Sequence, residues 1–177
     1  VDVPILFAPT ALHKLAHFNG EIETAMASSE ANTVLCLSSI SSVSLTQIAP
    51  HAKNKWMQLY IFKDLARTKK HIELIEKNWF TTLVVTVDTP VMGIRDSENM
   101  NKFTDERVKI DPPKHSKKVE SGIGNFFNQT YNSTLDWDVV KWLKSFTKMS
   151  IVLKGVHRPD DAIKAVHAGA DGIIVSN

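Results

Sequence analysis

A single cysteine in 177 residues excludes an internal disulfide framework, and Cys36 sits inside the apolar run Val34–Leu37, where it reads as a buried small hydrophobe rather than a nucleophile. A reducing compartment fits that usage. Long apolar runs are missing too. Thr82–Val87 and Gly172–Val175 fall far short of the roughly 20 residues that cross a bilayer, so no membrane segment is expected. Charge is balanced, with 21 basic against 19 acidic side chains and a net +2, too weak a field for nucleic acid. The expected partner is a small molecule. The start, Val1-Asp2-Val3-Pro4, has no basic-then-apolar leader, so nothing marks the chain for secretion. The glycosylation-type triplets at Asn128 and Asn132 are discounted on that ground.

What is present is a recurring unit: a short apolar run, a polar stop, then a segment of helical spacing. Six runs recur, Ile5–Ala8, Val34–Leu37, Trp56–Tyr60, Leu83–Val87, Ile151–Leu153 and Gly172–Val175. Each is short and nearly continuously apolar, which suits parallel strands covered on both faces. Helices are predicted over 21–31 with Asn32 at its end, over 64–78, after Asp136, and from Pro159 to Gly169, where proline opens and glycine closes the pattern.

Strand and helix alternation predicts an α/β parallel sheet, either doubly wound or closed into an eight-stranded barrel. No Gly-x-Gly-x-x-Gly loop follows any strand, and the strands end in polar residues: Thr10, Ser38, Gln58 with Tyr60, Thr86 with Asp88, Lys154 and Ser176. A barrel gathers those ends on one rim. A whole barrel takes about 250 residues and eight strands, so six strands imply an incomplete TIM (β/α)8 barrel and a fragment of a longer domain. The whole chain, 1–177, is one partial domain, with 93–135 as a long connection carrying the basic group Lys114–Lys118.

Asp88 closes a fully apolar strand, where an isolated charge is costly, so it needs a partner: a histidine that it orients, a helix terminus, or Arg95. Lys154 emerges from a buried strand as either a Schiff-base nucleophile or a fixed positive charge for a developing anion. Gln58 and Tyr60 lie two apart and share a side. The hydroxyls of Thr10, Ser38 and Thr86 suit a flat heterocycle, or simple strand-end capping. Arg95 offers a planar fork for a carboxylate, or a surface ion pair. His13, His17 and Glu21 recur every four residues, yet Gly20 interrupts them and no metal is expected.

The combination Ala8-Pro9-Thr10-Ala11, Gly20-Glu21, Leu37-Ser38-Ser39, Gln58-Leu59-Tyr60, Thr86-Val87-Asp88-Thr89-Pro90, Lys154-Gly155 and Gly172 to Asn177 closely resembles the FMN-dependent 2-hydroxy-acid oxidases. That family includes glycolate oxidases and the flavin domains of flavocytochrome-type lactate dehydrogenases. The resemblance implies FMN contacts at Pro9, Thr10, Ala11, Ser38, Gln58, Thr86, Lys154 and Ser176, with Lys154 as a charge beside the flavin. It implies catalytic roles for Tyr60, Asp88 and Lys154, substrate binding by Tyr60 and Arg95, and Asp88 holding a catalytic histidine. In the family that histidine directly follows the Val-Ser-Asn segment, so the 177 residues alone are expected to be nearly inactive. The activity implied is oxidation of a small (S)-2-hydroxy acid to the 2-oxo acid with dioxygen giving hydrogen peroxide, in a peroxisome or else the cytoplasm, by a full-length homo-oligomer. Departures from the family stand at Ile40, Trp79, Ile94 and Ser150. A Schiff-base lyase using Lys154, or an inactive truncated product, are the rival expectations.

Overall fold

The apolar runs pair in the order in which the chain supplies them. β1 (Val34–Leu37), β2 (Asn54–Leu59), β3 (Thr82–Thr86), β4 (Ser150–Lys154) and β5 (Gly172–Ile174) form one parallel sheet of order β1-β2-β3-β4-β5. The computed structural model describes residues 1–91, 93, 96–101 and 123–176. Every residue of β1 and β3 is buried, which is why these runs read as continuously apolar rather than alternating. A doubly wound sheet reverses its strand order at a switch point; this one never reverses. It is an arc of a barrel wall.

Among the described residues five strands form where six are expected. Ile5–Ala8 contributes one parallel bridge, Phe7 to Leu35, in which the Phe7 N–H donates to Val34 O at 2.9 Å and the Cys36 N–H donates to Phe7 O at 3.0 Å. Pro4 and Pro9 flank the run and have no N–H to extend a ladder.

The crossover helices cover one face. α1 (Glu21–Glu30), α3 (Leu65–Lys77), α6 (Asp138–Lys144) and α7 (Pro159–Ala168) send Ala25, Ile72, Ile75, Val140, Leu143 and Ala165 into a single core. There they meet Leu35, Leu37, Met57, Leu59, Leu83, Val85, Ile151 and Leu153 from alternate strand positions. Leu83 is fully buried, and truncating such a side chain to alanine costs about 2–5 kcal/mol. A four-residue helix, α2 (Leu45–Ile48), precedes β2.

Local signals set the helix ends. Asp64 Oδ1 accepts the Ala66 and Arg67 N–H groups at 3.0 and 3.2 Å, so α3 starts after it. Asn32 takes the left-handed conformation expected of it after α1, and Gly169 does the same after α7. Trp79, at φ 62°, also occupies a left-handed position, where a side chain adds strain, and it remains exposed. Ser150, one of the departures named from the sequence, keeps an N–H that donates to Thr81 O at 3.2 Å.

The connection 93–135 carries two helices among its described residues, α4 (Asp96–Met100) and α5 (Ile123–Thr130). Tyr131 then bridges Phe62 in antiparallel fashion. Ile94, Arg95 and the Lys114–Lys118 group lie outside the described residues. Also among the described residues, no helix is long and apolar enough to cross a membrane.

On α3, His71 packs edge-on against Phe62, with ring centroids 5.9 Å apart, while the Arg67 guanidinium lies 3.9 Å from the same ring centroid. Burial, followed by the Arg67 charge, pushes the imidazole down to about 4. Between pH 4 and its ordinary value near 6.5 the unfolded chain therefore binds a proton that the folded chain does not. Stability from this site is fully present above about pH 6.5 and falls by about 3 kcal/mol as pH drops toward 4. Urea unfolding at a series of pH values should show that loss, and His71→Gln should flatten it; an unchanged slope in the variant contradicts the assignment.

Candidate active site

Side chains two apart on a strand share a face, and the register extends that rule across the sheet. Cys36 pairs with Trp56, Val84 with Val152, and Thr86 with Lys154. Cys36, Val84 and Val152, with Trp56 and Ile174 packed on them, form a small apolar floor on the face away from the helices. Two residues further along the same strands stand Ser38, Gln58, Thr86, Lys154 and Ser176. These are five of the positions singled out from the sequence, and the sheet delivers all of them to the C-terminal rim above that floor. Cys36 is locked beneath: burial pushes its thiol up to about 12, against the opposing charge of Lys154, so it is an inert part of the floor.

Gln58 organises one side of the rim. Its Nε2 donates to Thr86 Oγ1 at 2.9 Å, and its Oε1 accepts the Ser39 N–H at 3.0 Å and the Ser38 hydroxyl at 3.5 Å. The Ser39 hydroxyl donates to the Gln58 carbonyl at 2.6 Å, so the turn after β1 is tied to β2. The Leu12 N–H donates to Ile40 O at 3.0 Å, which brings the Pro9–Ala11 segment over the same end of the sheet. Thr10 and Ala11 are exposed there and Pro9 is half-buried.

Asp88 and Lys154 form the other side. Asp88 Oδ2 lies 3.9 Å from Lys154 Nζ, with the side chains 13% and 21% exposed. At that separation and an effective dielectric of 20 the attraction is on the order of 4 kcal/mol before desolvation is subtracted. This ammonium was not among the partners considered for Asp88, which were a histidine, a helix terminus and Arg95; Arg95 lies outside the described residues. Thr89 donates its hydroxyl to Asp88 Oδ1 at 3.2 Å.

Gly155 is shaped to this pair. Its φ of +105° suits glycine, and a Cβ there would stand 2.5 Å from Asp88 Cβ. The Val87 N–H donates to Lys154 O at 2.9 Å and the Gly155 N–H to Ile174 O at 3.0 Å, so backbone bonding fixes where that missing Cβ would point.

Tyr60 stands beyond the end of β2, half-buried against an aromatic wall. The Phe127 ring meets it edge-on at 4.8 Å and Tyr131 lies at 5.1 Å. Burial pushes the phenol above its ordinary range; a hydrogen bond with Thr89 opposes this and the Asp88 charge adds to it. Leu12, Ile40 and Phe62 complete the wall. Phe127 and Tyr131 were not singled out from the sequence, and Ser39 and Thr89 stood in its motifs without a role. The four-residue spacing of Phe127 and Tyr131, one helical face, was the available signal.

The other acidic group of interest, Glu21, is committed elsewhere. It accepts from the Ser42 N–H at 2.8 Å, the Ser42 hydroxyl at 2.7 Å, the Val43 N–H at 3.2 Å and the His13 N–H at 3.1 Å. Burial alone would raise this carboxyl, but the bonds from Ser42 prevail and hold it below its ordinary range. Gly20 (φ +58°) separates Glu21 from the short His13–Leu15 turn, so the four-residue spacing with His13 and His17 is not a helical face.

Replacing Gly155 with alanine is expected to cost about 1–3 kcal/mol from backbone strain alone, and more from the overlap with Asp88. In urea unfolding, Asp88→Ala in the same chain should recover part of the loss, because it removes the group that the new methyl meets. Simple additivity of the two substitutions would contradict the contact.

A sequence profile of the FMN-dependent dehydrogenases matches residues 1–177. The chain is 37% identical to a peroxisomal (S)-2-hydroxyacid oxidase of Arabidopsis thaliana, over all of this chain and 50% of that protein. It is 36% identical to an L-lactate oxidase of Nostoc sp., again over all of this chain and 52% of that one. The crystal structure of a mandelate oxidase superposes on 99% of the chain with a TM-score of 0.88 at 32% identity, using 49% of its own length. The chain thus spans about half the length of the relatives it matches. With the unreversed parallel sheet and its polar rim, these matches establish that the chain belongs to the FMN-dependent dehydrogenase family.

Proposed function

We propose that this chain supplies the flavin and substrate face of an enzyme that oxidises a small (S)-2-hydroxy acid to its 2-oxo acid, with dioxygen reduced to hydrogen peroxide. The observation that carries the reading is the meeting of the Gln58–Thr86 pair and the Asp88–Lys154 pair on one rim. Amide, hydroxyl and ammonium groups in that arrangement fit the edge of a flat ring of alternating carbonyl and N–H groups. Lys154, Gln58, Thr86, Ser38 and Ser176, with Pro9–Ala11 at the margin, are the residues that would hold FMN. When bound, FMN supplies the two-electron acceptor that dioxygen reoxidises.

The chain's own groups divide the remaining work. Lys154 places a positive charge where an anion develops. Tyr60 offers its phenol to the substrate, and the wall of Phe127 and Tyr131 keeps its ring in one orientation. Arg95 is assigned to the substrate carboxylate by the family resemblance. Asp88 is the acceptor for a histidine base, whose imidazole it would orient and whose protonated form it would stabilise. Production of peroxide suits a peroxisomal setting, as in the Arabidopsis relative, and a homo-oligomer of the whole protein is part of the same proposal. Lys154 facing a carboxylate, rather than an apolar wall that would favour a neutral amine, supports the fixed-charge role over a Schiff-base lyase.

Titrating FMN with the protein should quench flavin fluorescence saturably, and Lys154→Met should weaken binding about tenfold or more, equivalent to about 1.4 kcal/mol. No quenching, together with a borohydride-trapped adduct of a 2-oxo acid on Lys154, would overturn the oxidase reading in favour of the lyase.

A further inference from the structure

Leu12 carries a backbone conformation that its side chain disfavours. At φ 57° and ψ 47° it is left-handed, a state that costs any residue with a Cβ and persists only where the surroundings enforce it. It follows directly on Pro9–Ala11, the segment at the margin of the rim, and its own side chain is buried in the wall against which Tyr60 packs. Two bonds bracket it. The Leu12 N–H donates to Ile40 O at 3.0 Å, and the next amide, the His13 N–H, donates to Glu21 Oε1 at 3.1 Å. Glu21 is only 1% exposed, so its carboxylate is a buried charge that donors must satisfy. We propose that Glu21 is a positioning residue: its carboxylate clamps the 12–14 stretch to the connection after β1, holding Leu12 left-handed and seating Pro9–Ala11 and the Leu12 side chain on the rim.

The clamp has two jaws. The connection after β1, which also carries Ser38, Ser39 and Ile40, supplies the Ser42 N–H at 2.8 Å from Oε1, with the Ser42 hydroxyl at 2.7 Å and the Val43 N–H at 3.2 Å from Oε2. The 12–14 stretch supplies the His13 N–H directly and the Lys14 N–H through Ser42, whose hydroxyl oxygen accepts it at 3.0 Å. The single proton of that hydroxyl goes to the carboxylate and a lone pair takes the Lys14 amide, so Ser42 links both jaws to the charge. His13 Nδ1, 3.0 Å from Thr24 Oγ1, fastens the same stretch to α1. Gly20 lets the start of α1 come this close: a Cβ there would stand 2.9 Å from Lys14 Cγ and 3.3 Å from Ser42 Oγ. An amide in place of the carboxylate would keep one accepting oxygen and turn an NH2 toward donors that need an acceptor. The clamp rests on the flavin reading for its purpose, but not for its geometry.

Backbone amide hydrogen exchange, read by nuclear magnetic resonance in the flavin-free chain, tests the clamp. Glu21→Gln should speed exchange at His13, Ser42 and Val43 by about tenfold or more, the loss of a charge-assisted bond. It should also speed exchange at Leu12, whose amide bonds Ile40 and not Glu21, while Leu83 and Val85 of β3 keep their protection. Thr147→Val, which removes a hydroxyl bond to Glu76 near the start of β4, should lower the urea midpoint and leave the Leu12 amide unmoved. A Leu12 amide unmoved by Glu21→Gln, or moved as much by Thr147→Val, overturns the clamp. If the Glu21→Gln chain does not fold, as judged by near-ultraviolet circular dichroism, Ser42→Ala takes its place and must speed the Leu12 and Lys14 amides. In the FMN titration, Glu21→Gln should weaken binding about tenfold and Thr147→Val less than about twofold; equal losses overturn the positioning role. If the parent chain itself fails to quench flavin fluorescence, the flavin reading falls and the Leu12 amide alone decides the clamp.

Discussion

The site depends on one constraint, the two-residue period of a pleated strand kept in phase across four parallel pairings. Cys36 opposes Trp56, Gln58 opposes Val84, Thr86 opposes Lys154 and Lys154 opposes Ile174, so a face chosen on one strand is the same face on the next. One alternation therefore does two tasks. It sends Leu83, Val85, Ile151 and Leu153 to the helices and lifts Gln58, Thr86 and Lys154 to the opposite rim. A slip of one residue would exchange the two sets, burying an ammonium among leucines while exposing the leucines. The hydrophobic core thus specifies the polar rim, because the register that satisfies one satisfies the other.

On that frame the rim is assembled from close contacts between neighbouring strand ends. Gln58 reaches Thr86, Asp88 reaches Lys154, and Ser39 ties the turn after β1 back to the backbone of β2. Gly155 shows how tightly the backbone enters: the closeness of Asp88 and the left-handed φ each demand the same residue there. Buried polar groups along the rim are satisfied by one another, and among the described residues no buried side-chain nitrogen or oxygen is left without a partner. Such a network holds its members in fixed orientations, which is the condition for positioning a flat ring and a small acid.

Much of this was legible in the sequence because it is governed by local rules. The parallel strands followed from short apolar runs, one helix start from Pro159, and the helix stops from Asn32 and Gly169. The rest required distance in space. The run Ile5–Ala8 looks like its neighbours, but its flanking prolines reduce it to a single bridge. The aromatic wall behind Tyr60 comes from residues about seventy positions further on, and no periodicity near β2 announces it. The group Asp88 meets, Lys154, was not among the partners read from the sequence, because only the parallel pairing of β3 with β4 sets the two side by side.

The shared rim is tested most directly by the coupling between Gln58 and Thr86, residues 28 apart in the chain whose side chains meet at 2.9 Å. In a double-mutant cycle of unfolding free energies, Gln58→Leu and Thr86→Val each leave the other group buried without its partner, whereas the double variant removes both. The account predicts a coupling of about 1 kcal/mol, the double variant being less destabilised than the sum of the singles. Strict additivity would contradict it, because the two strand tips would then not share a face.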